Sequence, residues 1–157
     1  MIKYLVMDVD GTLTDGKVYI GNQGEEFKAF SIKDGCGIHD VLPKCKMEPI
    51  IVTGRKSKIV ELRCQELGIS KLFQGVKNKI DIVRKVSENE LKCVAYIGDD
   101  LNDLECMKAV KDAGGIIGCP QNAVKAVVNI ANFVSSYNGG EGAVREFIEW
   151  LADITKE

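Results

Sequence analysis

The amino-acid sequence predicts an α/β protein built on a doubly wound parallel sheet, with helices on both faces. Short β-branched runs alternate along the chain with segments whose apolar residues recur at helical spacing, and this alternation is typical of parallel α/β folds. The principal runs are apolar throughout, as buried parallel strands are. With 157 residues, 45% of them hydrophobic and 28% charged, the chain can bury one core and has an ordinary globular composition.

Five short runs predict the strands of this sheet. Residues 3–8 ("KYLVMD"), 49–54 ("PIIVTG") and 93–100 ("CVAYIGDD") have the length and β-branched content of buried strands. Residues 114–118 ("GGIIG") and 132–135 ("NFVS") are candidates for short additional strands.

Four segments between and after these runs predict amphipathic helices. In each, apolar residues recur every three or four positions, which places them in one stripe on a helix surface. The clearest stripe follows the glycine-rich stretch "GGEG", which predicts a loop, near the C-terminal end. The stripes comprise Ile59, Val60, Cys64 and Leu67; Ile80, Val83 and Val86; Leu104, Met107 and Val110; and Ala143, Val144, Phe147, Ile148, Leu151 and Ile154.

One stretch departs from the alternation of strands and helices. Residues 17–31 ("KVYIGNQGEEFKAFS") contain two strand-like runs around "GNQG", a pattern that predicts a β-hairpin. No repeat, low-complexity tract or proline-rich linker interrupts the chain. We therefore expect a single domain over residues 1–157, with the hairpin protruding from it.

Composition argues against several classes of protein. The formal charge of -2 provides no basic surface for nucleic acid or for a membrane. No apolar run approaches the length of a membrane span, and the start, "MIKYLVMDVD", reaches acidic residues too early for a secretory signal. These features argue against a nucleic-acid-binding, membrane-bound or secreted protein.

The cysteines favour a reducing compartment and argue against zinc. They form no CxxC pair, and His39 is the single histidine of the chain, so the usual zinc ligand spacings are absent. Scattered cysteines in apolar or helical stretches are typical of reduced core residues. They are Cys36, Cys45, Cys64, Cys93, Cys106 and Cys119.

Polar residues follow the three principal strands at the point where each one ends. Because ligands of open α/β sheets bind beyond the carboxyl ends of the strands, these residues define a candidate site. Lys79, which precedes a predicted helix, is a candidate cation for the same edge. The strand ends contribute Asp8 and Asp10; Thr53 and Gly54; and Gly98, Asp99, Asp100 and Asp103.

Each of these residues also has a purely structural interpretation. The acidic residues after the third strand could cap a helix, Thr53 could be an N-cap, and Lys79 could be a solvated helix charge. Asp8 and Asp10 are less easily explained, because clustered carboxylates in a cleft require a cation. Oxygen ligands without histidine or cysteine select Mg²⁺.

The motifs of several other chemistries are absent. The chain has no GxSxG, no GxxxxGK[ST] and no complete dinucleotide fingerprint, and the acidic run follows a predicted strand, unlike an EF-hand loop. A divalent cation, a carboxylate nucleophile, a hydroxyl and a lysine suit phosphoryl transfer. In that chemistry Asp8 would attack phosphorus, and a second carboxyl would protonate the leaving alcohol and then activate water.

These residues resemble the four motifs of the haloacid dehalogenase superfamily, in order and over most of the chain. The first motif is Asp8-Val9-Asp10-Gly11-Thr12, and Thr53, Lys79 and Gly98-Asp99-Asp100 with Asp103 match the others. The resemblance implies a Rossmann-like fold with Asp8 as nucleophile and Asp10 as general acid/base. It implies Thr53 and Lys79 as phosphate ligands. It also implies a Mg²⁺ held by Asp8, the backbone carbonyl of Asp10, and Asp99, with Asp103 in support.

Longer stretches resemble a capless branch of this superfamily that hydrolyses 3-deoxy-D-manno-octulosonate 8-phosphate or 2-keto-3-deoxynonulosonate 9-phosphate. Among them are "VTGRKSKIVELRCQELGI", "YIGDDLND" and "NGGEGAVREF". The branch implies homotetramers joined by hairpins, which gives residues 17–31 a role in assembly and places sites at subunit interfaces. It further implies substrate contacts from Lys33, Gly54, Arg55 and Arg63, although an ordinary helix-face charge is the alternative for each of the three basic residues.

The choice between these substrates stays open at the level of sequence. His39 stands where the eight-carbon enzymes usually carry arginine, whereas Arg55 and Glu66 stand where the nine-carbon enzyme has glutamate and lysine. His39 could equally be a surface residue. Two other interpretations are a receiver-like phospho-switch and a degenerate enzyme serving as a partner of a synthetase. The end of the second strand in Thr53 argues against the first, and the intact acidic residues and lysine argue against the second.

Overall fold

A computed structural model describes residues 1–155, apart from the side chain of residue 26. Six strands form one sheet in the order β5-β4-β1-β6-β7-β8, and every neighbouring pair in it is parallel. The predicted α/β class with a doubly wound parallel sheet is therefore confirmed. The strands are β1 (Tyr4–Met7), β4 (Glu48–Val52), β5 (Lys71–Phe73), β6 (Val94–Ile97), β7 (Ile116–Cys119) and β8 (Phe133–Val134).

Helices cover both faces of the sheet because side chains alternate along each strand. In β1, Leu5 and Met7 join the apolar core on one face and Val6 joins the core on the other. Helices α2 and α6 and the helical turns at residues 37–45 cover the first face, α1 packs against α6, and α3, α4 and α5 cover the second face. Their bounds are α1 (Ile32–Cys36), α2 (Lys58–Leu67), α3 (Lys79–Val86), α4 (Leu104–Asp112), α5 (Lys125–Val128) and α6 (Ala143–Ile154).

The predicted hairpin forms beside the first strand. Strands β2 (Tyr19–Gly21) and β3 (Gly24–Phe27) pair antiparallel in a sheet of their own. Stacking of the Tyr19 and Phe27 rings, with centroids 4.3 Å apart, supports one of its faces.

Two parts of the fold carried no clear signal in the sequence. Residues 32–45 form α1 and two further helical turns, but Gly35 and Gly37 interrupt the apolar periodicity there. Strand β5 is three residues long and only half-buried, so its composition is not that of a buried strand. None of the helices within residues 1–155 is long and apolar enough to cross a membrane.

Candidate active site

The three central strands bring their carboxyl ends to the same level of the sheet. Met7 at the end of β1 lies opposite Ile51 of β4 and Ile97 of β6. The residues that follow each strand therefore meet at one edge, as expected for parallel strands in register. Asp8 and Thr53 are buried there.

Lys79 reaches this edge from the first turn of α3. Its Nζ lies 2.9 Å from Asp8 Oδ1 and 2.8 Å from Asp103 Oδ1, and its side chain is 2% exposed. A buried ammonium group is stable only when paired, and these two carboxylates provide the pairing. The flanking negative charges raise the pKa of Lys79 against the opposing effect of burial, so Lys79 is a cation at neutral pH.

Asp103 is the most heavily bonded carboxylate of the site. Besides Lys79, it accepts a hydrogen bond of 2.6 Å from the hydroxyl of Tyr96, a fully buried residue of β6. Its Oδ2 accepts the backbone N–H groups of Asp99 at 3.0 Å and Asp100 at 3.2 Å. Asp100 also caps the helical turn that contains Asp103. The capping interpretation of this acidic run is therefore correct for Asp100, and the same run places Asp103 against Lys79.

Three carboxylates of the edge form a group that could hold a metal ion. Oxygens of Asp8, Asp99 and Asp103 all lie within 4.8 Å of one another. Burial, followed by the charge of Asp103, raises the pKa of Asp8 well above its usual value and that of Asp99 to about 6. One lysine does not balance three carboxylates, and the excess charge with all-oxygen donors suits a hard divalent cation.

Small residues in the loop after β1 make room for this group. Thr12 Oγ1 donates a hydrogen bond of 3.3 Å to Asp99 Oδ1. Gly11 has φ of +87°, and a Cβ added to it would lie 2.0 Å from Asp99 Oδ2. A side chain at Gly11 would therefore displace the Asp99 carboxylate.

The Asp10 side chain lies outside the three-acid group and contacts the hairpin. Lys28 Nζ lies 2.6 Å from Asp10 Oδ1 and 3.1 Å from Glu25 Oε2. Glu25 in turn accepts hydrogen bonds from Arg55 Nη2 at 3.3 Å and Ser57 Oγ at 2.8 Å. No sequence pattern marked Lys28 or Glu25 as site residues, because the sequence alone does not show which way a hairpin folds back.

A cavity of about 140 Å³ opens beside these groups. That volume is below the range of about 300–1,000 Å³ found for most small-molecule pockets. The cavity can receive a phosphoryl group, while a larger ester would extend past its rim. Its lining comprises Asp8, Asp10, Thr53, Gly54, Arg55, Asp100 and Asn102.

Two of the residues predicted to contact substrate lie elsewhere in the chain. Lys33 borders a separate cavity next to Tyr137 and Arg145. The Arg63 guanidinium contacts Glu66 at 3.0 Å and the backbone carbonyl of Ser31 at 3.3 Å. A single chain thus brings Gly54 and Arg55 to the cavity, and the roles of Lys33 and Arg63 stay predictions.

His39 is an exposed residue away from the cavity. Its Nδ1 lies 2.7 Å from Asp40 Oδ1, and both side chains are more than half exposed. Within one chain, the structure gives it the environment of an ordinary surface histidine.

The loop before α6 packs against the backbone of the acidic loop that follows β1. The backbone N–H of Gly140 donates to the carbonyl of Thr12 at 3.1 Å. A Cβ added at Gly139 would lie 1.8 Å from the carbonyl oxygen of Gly11. The two glycines of "NGG" are therefore required by the close approach of two backbones, and not only by the turn before the helix.

Comparison with known proteins finds relatives that match nearly the whole chain. No protein-family model matches it. It is 43% identical to the 3-deoxy-D-manno-octulosonate 8-phosphate phosphatase of Escherichia coli over 157 residues, which is 96% of this chain and 79% of that protein.

Solved structures show the same relationship. The Moraxella catarrhalis phosphatase of the same name, solved with a magnesium ion, a phosphate ion and KDO, is 36% identical with a TM-score of 0.87, over 98% of this chain and 87% of that one. The cobalt-bound Haemophilus influenzae phosphatase is 32% identical with a TM-score of 0.88, over 98% and 89%.

Proposed function

The chain belongs to the 3-deoxy-D-manno-octulosonate 8-phosphate phosphatase family of the haloacid dehalogenase superfamily, and from this premise we propose that it hydrolyses the phosphate ester of a 3-deoxy-2-ulosonic acid. The observation that carries the proposal is the group formed by Asp8, Asp99 and Asp103 at one edge of the sheet, with Lys79 bound to Asp8 and Asp103. The eight-carbon 8-phosphate is the favoured substrate, because the named relatives act on it. A nine-carbon 9-phosphate is the alternative.

Mg²⁺ is the cofactor that the site accommodates. Asp8 and Asp99 would hold it with the backbone carbonyl of Asp10, and Asp103 would support them. When bound, the ion neutralises charge on the phosphate and on the attacking carboxylate.

The residues of the chain then divide the reaction into two steps. In the first, an oxygen of Asp8 forms a bond to phosphorus as the bond to the sugar oxygen breaks, and the Asp10 carboxyl gives its proton to that oxygen. In the second, the Asp10 carboxylate takes a proton from water, whose oxygen bonds to phosphorus and releases Asp8. Lys79 and Thr53 bind the oxygens of the phosphoryl group and keep it in line.

The open cavity suggests how the sugar is bound. Arg55 lines the cavity and its side chain is 53% exposed. Besides the bond from Nη2 to Glu25, its guanidinium has further N–H groups from which a substrate carboxylate can accept hydrogen bonds. Lys33 and Arg63 lie away from this cavity in their own chain and would require a neighbouring subunit's site.

Phosphate release tests the function directly. The chain in Mg²⁺ should hydrolyse 3-deoxy-D-manno-octulosonate 8-phosphate faster than nine-carbon ulosonate 9-phosphates and simple sugar phosphates. Asp8→Asn should abolish turnover, because an amide does not attack phosphorus, while Asp112→Asn, an exposed carboxylate on α4, should leave it unchanged. Full turnover by Asp8→Asn would refute the nucleophile assignment.

We further propose that the chain forms a homotetramer through its hairpin. The hairpin exposes apolar side chains, with Ile20 74% and Phe27 51% exposed, and an isolated two-stranded hairpin is only marginally stable in water. Ile20→Glu should therefore lower the mass measured by analytical ultracentrifugation, whereas Ile154→Glu, an exposed apolar position on α6, should not. A tetramer that survives both Ile20→Glu and deletion of residues 16–31 would contradict this role.

The cysteines support a location in the cytoplasm. All six are free thiols, and four of them are buried, as in proteins that fold in a reducing compartment. Titration of thiols in denaturant should find six per chain without reductant, and fewer would indicate disulfides.

A further inference from the structure

We infer that Lys28 is a positioning residue for the reaction: its buried ammonium group fixes the carboxyl of Asp10 and fastens the hairpin to the site of its own chain. The inference rests on the proposed function, because it assigns Lys28 to the acid/base step of that reaction. It concerns a residue outside the four motifs of the superfamily.

Burial and contact make Lys28 unusual among the lysines of the chain. Its side chain is 1% exposed, and its Nζ contacts Asp10 at 2.6 Å and Glu25 at 3.1 Å. Burial of a lysine is costly without partners, so these contacts hold the ammonium group in place. Lys79 is the comparable case on the other side of the acidic loop.

Glu25 also contacts the ammonium group of Lys28, and its carboxylate binds residues of a second loop beside the cavity. Because Glu25 lies on β3 and accepts hydrogen bonds from Arg55 and Ser57, the hairpin is bound to the loops after both β1 and β4. Lys28 thus donates a hydrogen bond to Asp10 from a fixed direction, while the carboxylates of Asp10 and Glu25 share the positive charge of its ammonium group. The two loops that line the cavity are held at a fixed separation by this series of contacts.

Positioning matters for Asp10 because a general acid must lie within hydrogen-bond distance of the oxygen that it protonates. The Asp10 side chain keeps 25% of its surface exposed and would otherwise sample several rotamers. The bond from Lys28 to Oδ1 selects one of them. Misplacement of a reacting group by about 1 Å costs roughly 100-fold in rate.

The dependence of the rate on the leaving group separates this role from a general effect on the fold. When the bond from phosphorus to a sugar oxygen breaks, the departing alkoxide needs the proton of Asp10. When the leaving group is 4-nitrophenolate, the ring stabilises the charge and no proton is needed. The second step uses Asp10 as the base with both substrates, so the comparison is made on kcat/KM, which reports the first step alone. A variant that misplaces Asp10 should therefore lower kcat/KM on the sugar phosphate and keep kcat/KM on 4-nitrophenyl phosphate.

The experiment compares Lys28→Met and Lys28→Arg with the wild-type chain in Mg²⁺, on 3-deoxy-D-manno-octulosonate 8-phosphate and on 4-nitrophenyl phosphate. Lys28→Met should lower kcat/KM on the sugar phosphate by about 10- to 100-fold and on the aryl phosphate by less than about 3-fold. Lys28→Arg keeps the cation and should restore most of the loss. Lys17→Met, an exposed lysine of the same hairpin, should match the wild type on both substrates.

A double variant tests whether Lys28 acts through Asp10. In an Asp10→Asn background, Lys28→Met should lower the remaining sugar phosphatase activity by no more than about 2-fold, because groups that act as a unit are not additive. If circular dichroism shows that Lys28→Met does not fold, Lys28→Gln replaces it in the same measurements.

The possible failures can be distinguished from one another. Equal losses on both substrates, or no loss on either, would overturn the role of Lys28 while leaving the phosphatase assignment intact. Absence of phosphate release by the wild-type chain on every substrate would instead overturn the proposed function.

Discussion

A single methyl group added at Gly139 should impair catalysis without entering the cavity. Gly139 is not among the glycines with positive φ, so alanine fits its backbone conformation. The added Cβ would lie 1.8 Å from the carbonyl oxygen of Gly11, 2.6 Å from its carbonyl carbon and 3.0 Å from the carbonyl oxygen of Thr14. All three atoms belong to the backbone, so no flexible side chain can move aside.

The size of the effect follows from these distances. Real Cβ atoms essentially never approach another heavy atom within 3.0 Å, so the two loops must separate by at least about 1.2 Å at this point. The displaced Gly11 lies between Asp10 and Thr12, which contacts Asp99. A shift of about 1 Å in a reacting group costs roughly 100-fold in rate, and overpacking costs about 1–3 kcal/mol of stability.

Phosphate release and thermal unfolding measure the two effects. We expect Gly139→Ala to lower kcat/KM by about 100-fold while the chain stays folded. Gly68→Ala is the control, because a Cβ there meets nothing within 4 Å and the φ of +71° costs stability alone. Activity of Gly139→Ala within about threefold of the wild type would show that the contact between the loops does not position the acidic residues, and would refute the reasoning.

Three further predictions concern the metal, a buried carboxyl and a buried hydroxyl. Mg²⁺ at 100 times its Kd should stabilise the wild type by about 2.7 kcal/mol and raise its Tm by about 5–10 °C. Asp99→Asn should lack this rise in Tm, and EDTA should reverse it in the wild type. An equal rise in the variant would contradict the metal site. Burial raises the pKa of Asp34 to about 6, so the folded state binds more protons than the unfolded state between about pH 4 and 6, and this group makes stability fall as pH rises through that window. Relative to Asp34→Asn, the wild type should lose about 2 kcal/mol between pH 4 and 7 in denaturant titrations, and a difference that does not change with pH would contradict it. Tyr96→Phe removes the bond to Asp103 and should lower the free energy of unfolding by about 1–2 kcal/mol, measured with urea; an unchanged midpoint would show that the remaining donors to Asp103 suffice.

The central part of the fold follows from local patterns in the sequence. The runs that form β1, β4 and β6 are short, apolar and contain β-branched residues, and a helical stripe follows β4 and β6. The polar residues at their carboxyl ends meet because parallel strands in register end at the same level. The positions of Asp8, Thr53 and Asp99 were therefore predictable from chain order and strand ends.

Other parts of the site depend on contacts between residues far apart in the sequence. Tyr96 has the pattern of a core residue in a strand, and only the approach of Asp103 makes its hydroxyl part of the site. Arg63 has the spacing of a surface charge on α2, yet its side chain turns towards the carbonyl of Ser31. Neither orientation can be read from periodicity, which indicates a face of an element but not its neighbour.

The sequence by itself determined the parallel sheet, the order of the acidic motifs and the edge at which they meet, because these depend on periodicity and on where each strand ends. Only the tertiary structure decided that the hairpin folds back so that Lys28 meets Asp10, and that Gly139 touches Gly11. The reason is physical: hydrophobic patterning favours burial of a face but is not directional, whereas a salt bridge or a close backbone contact exists only once distant segments have been packed together.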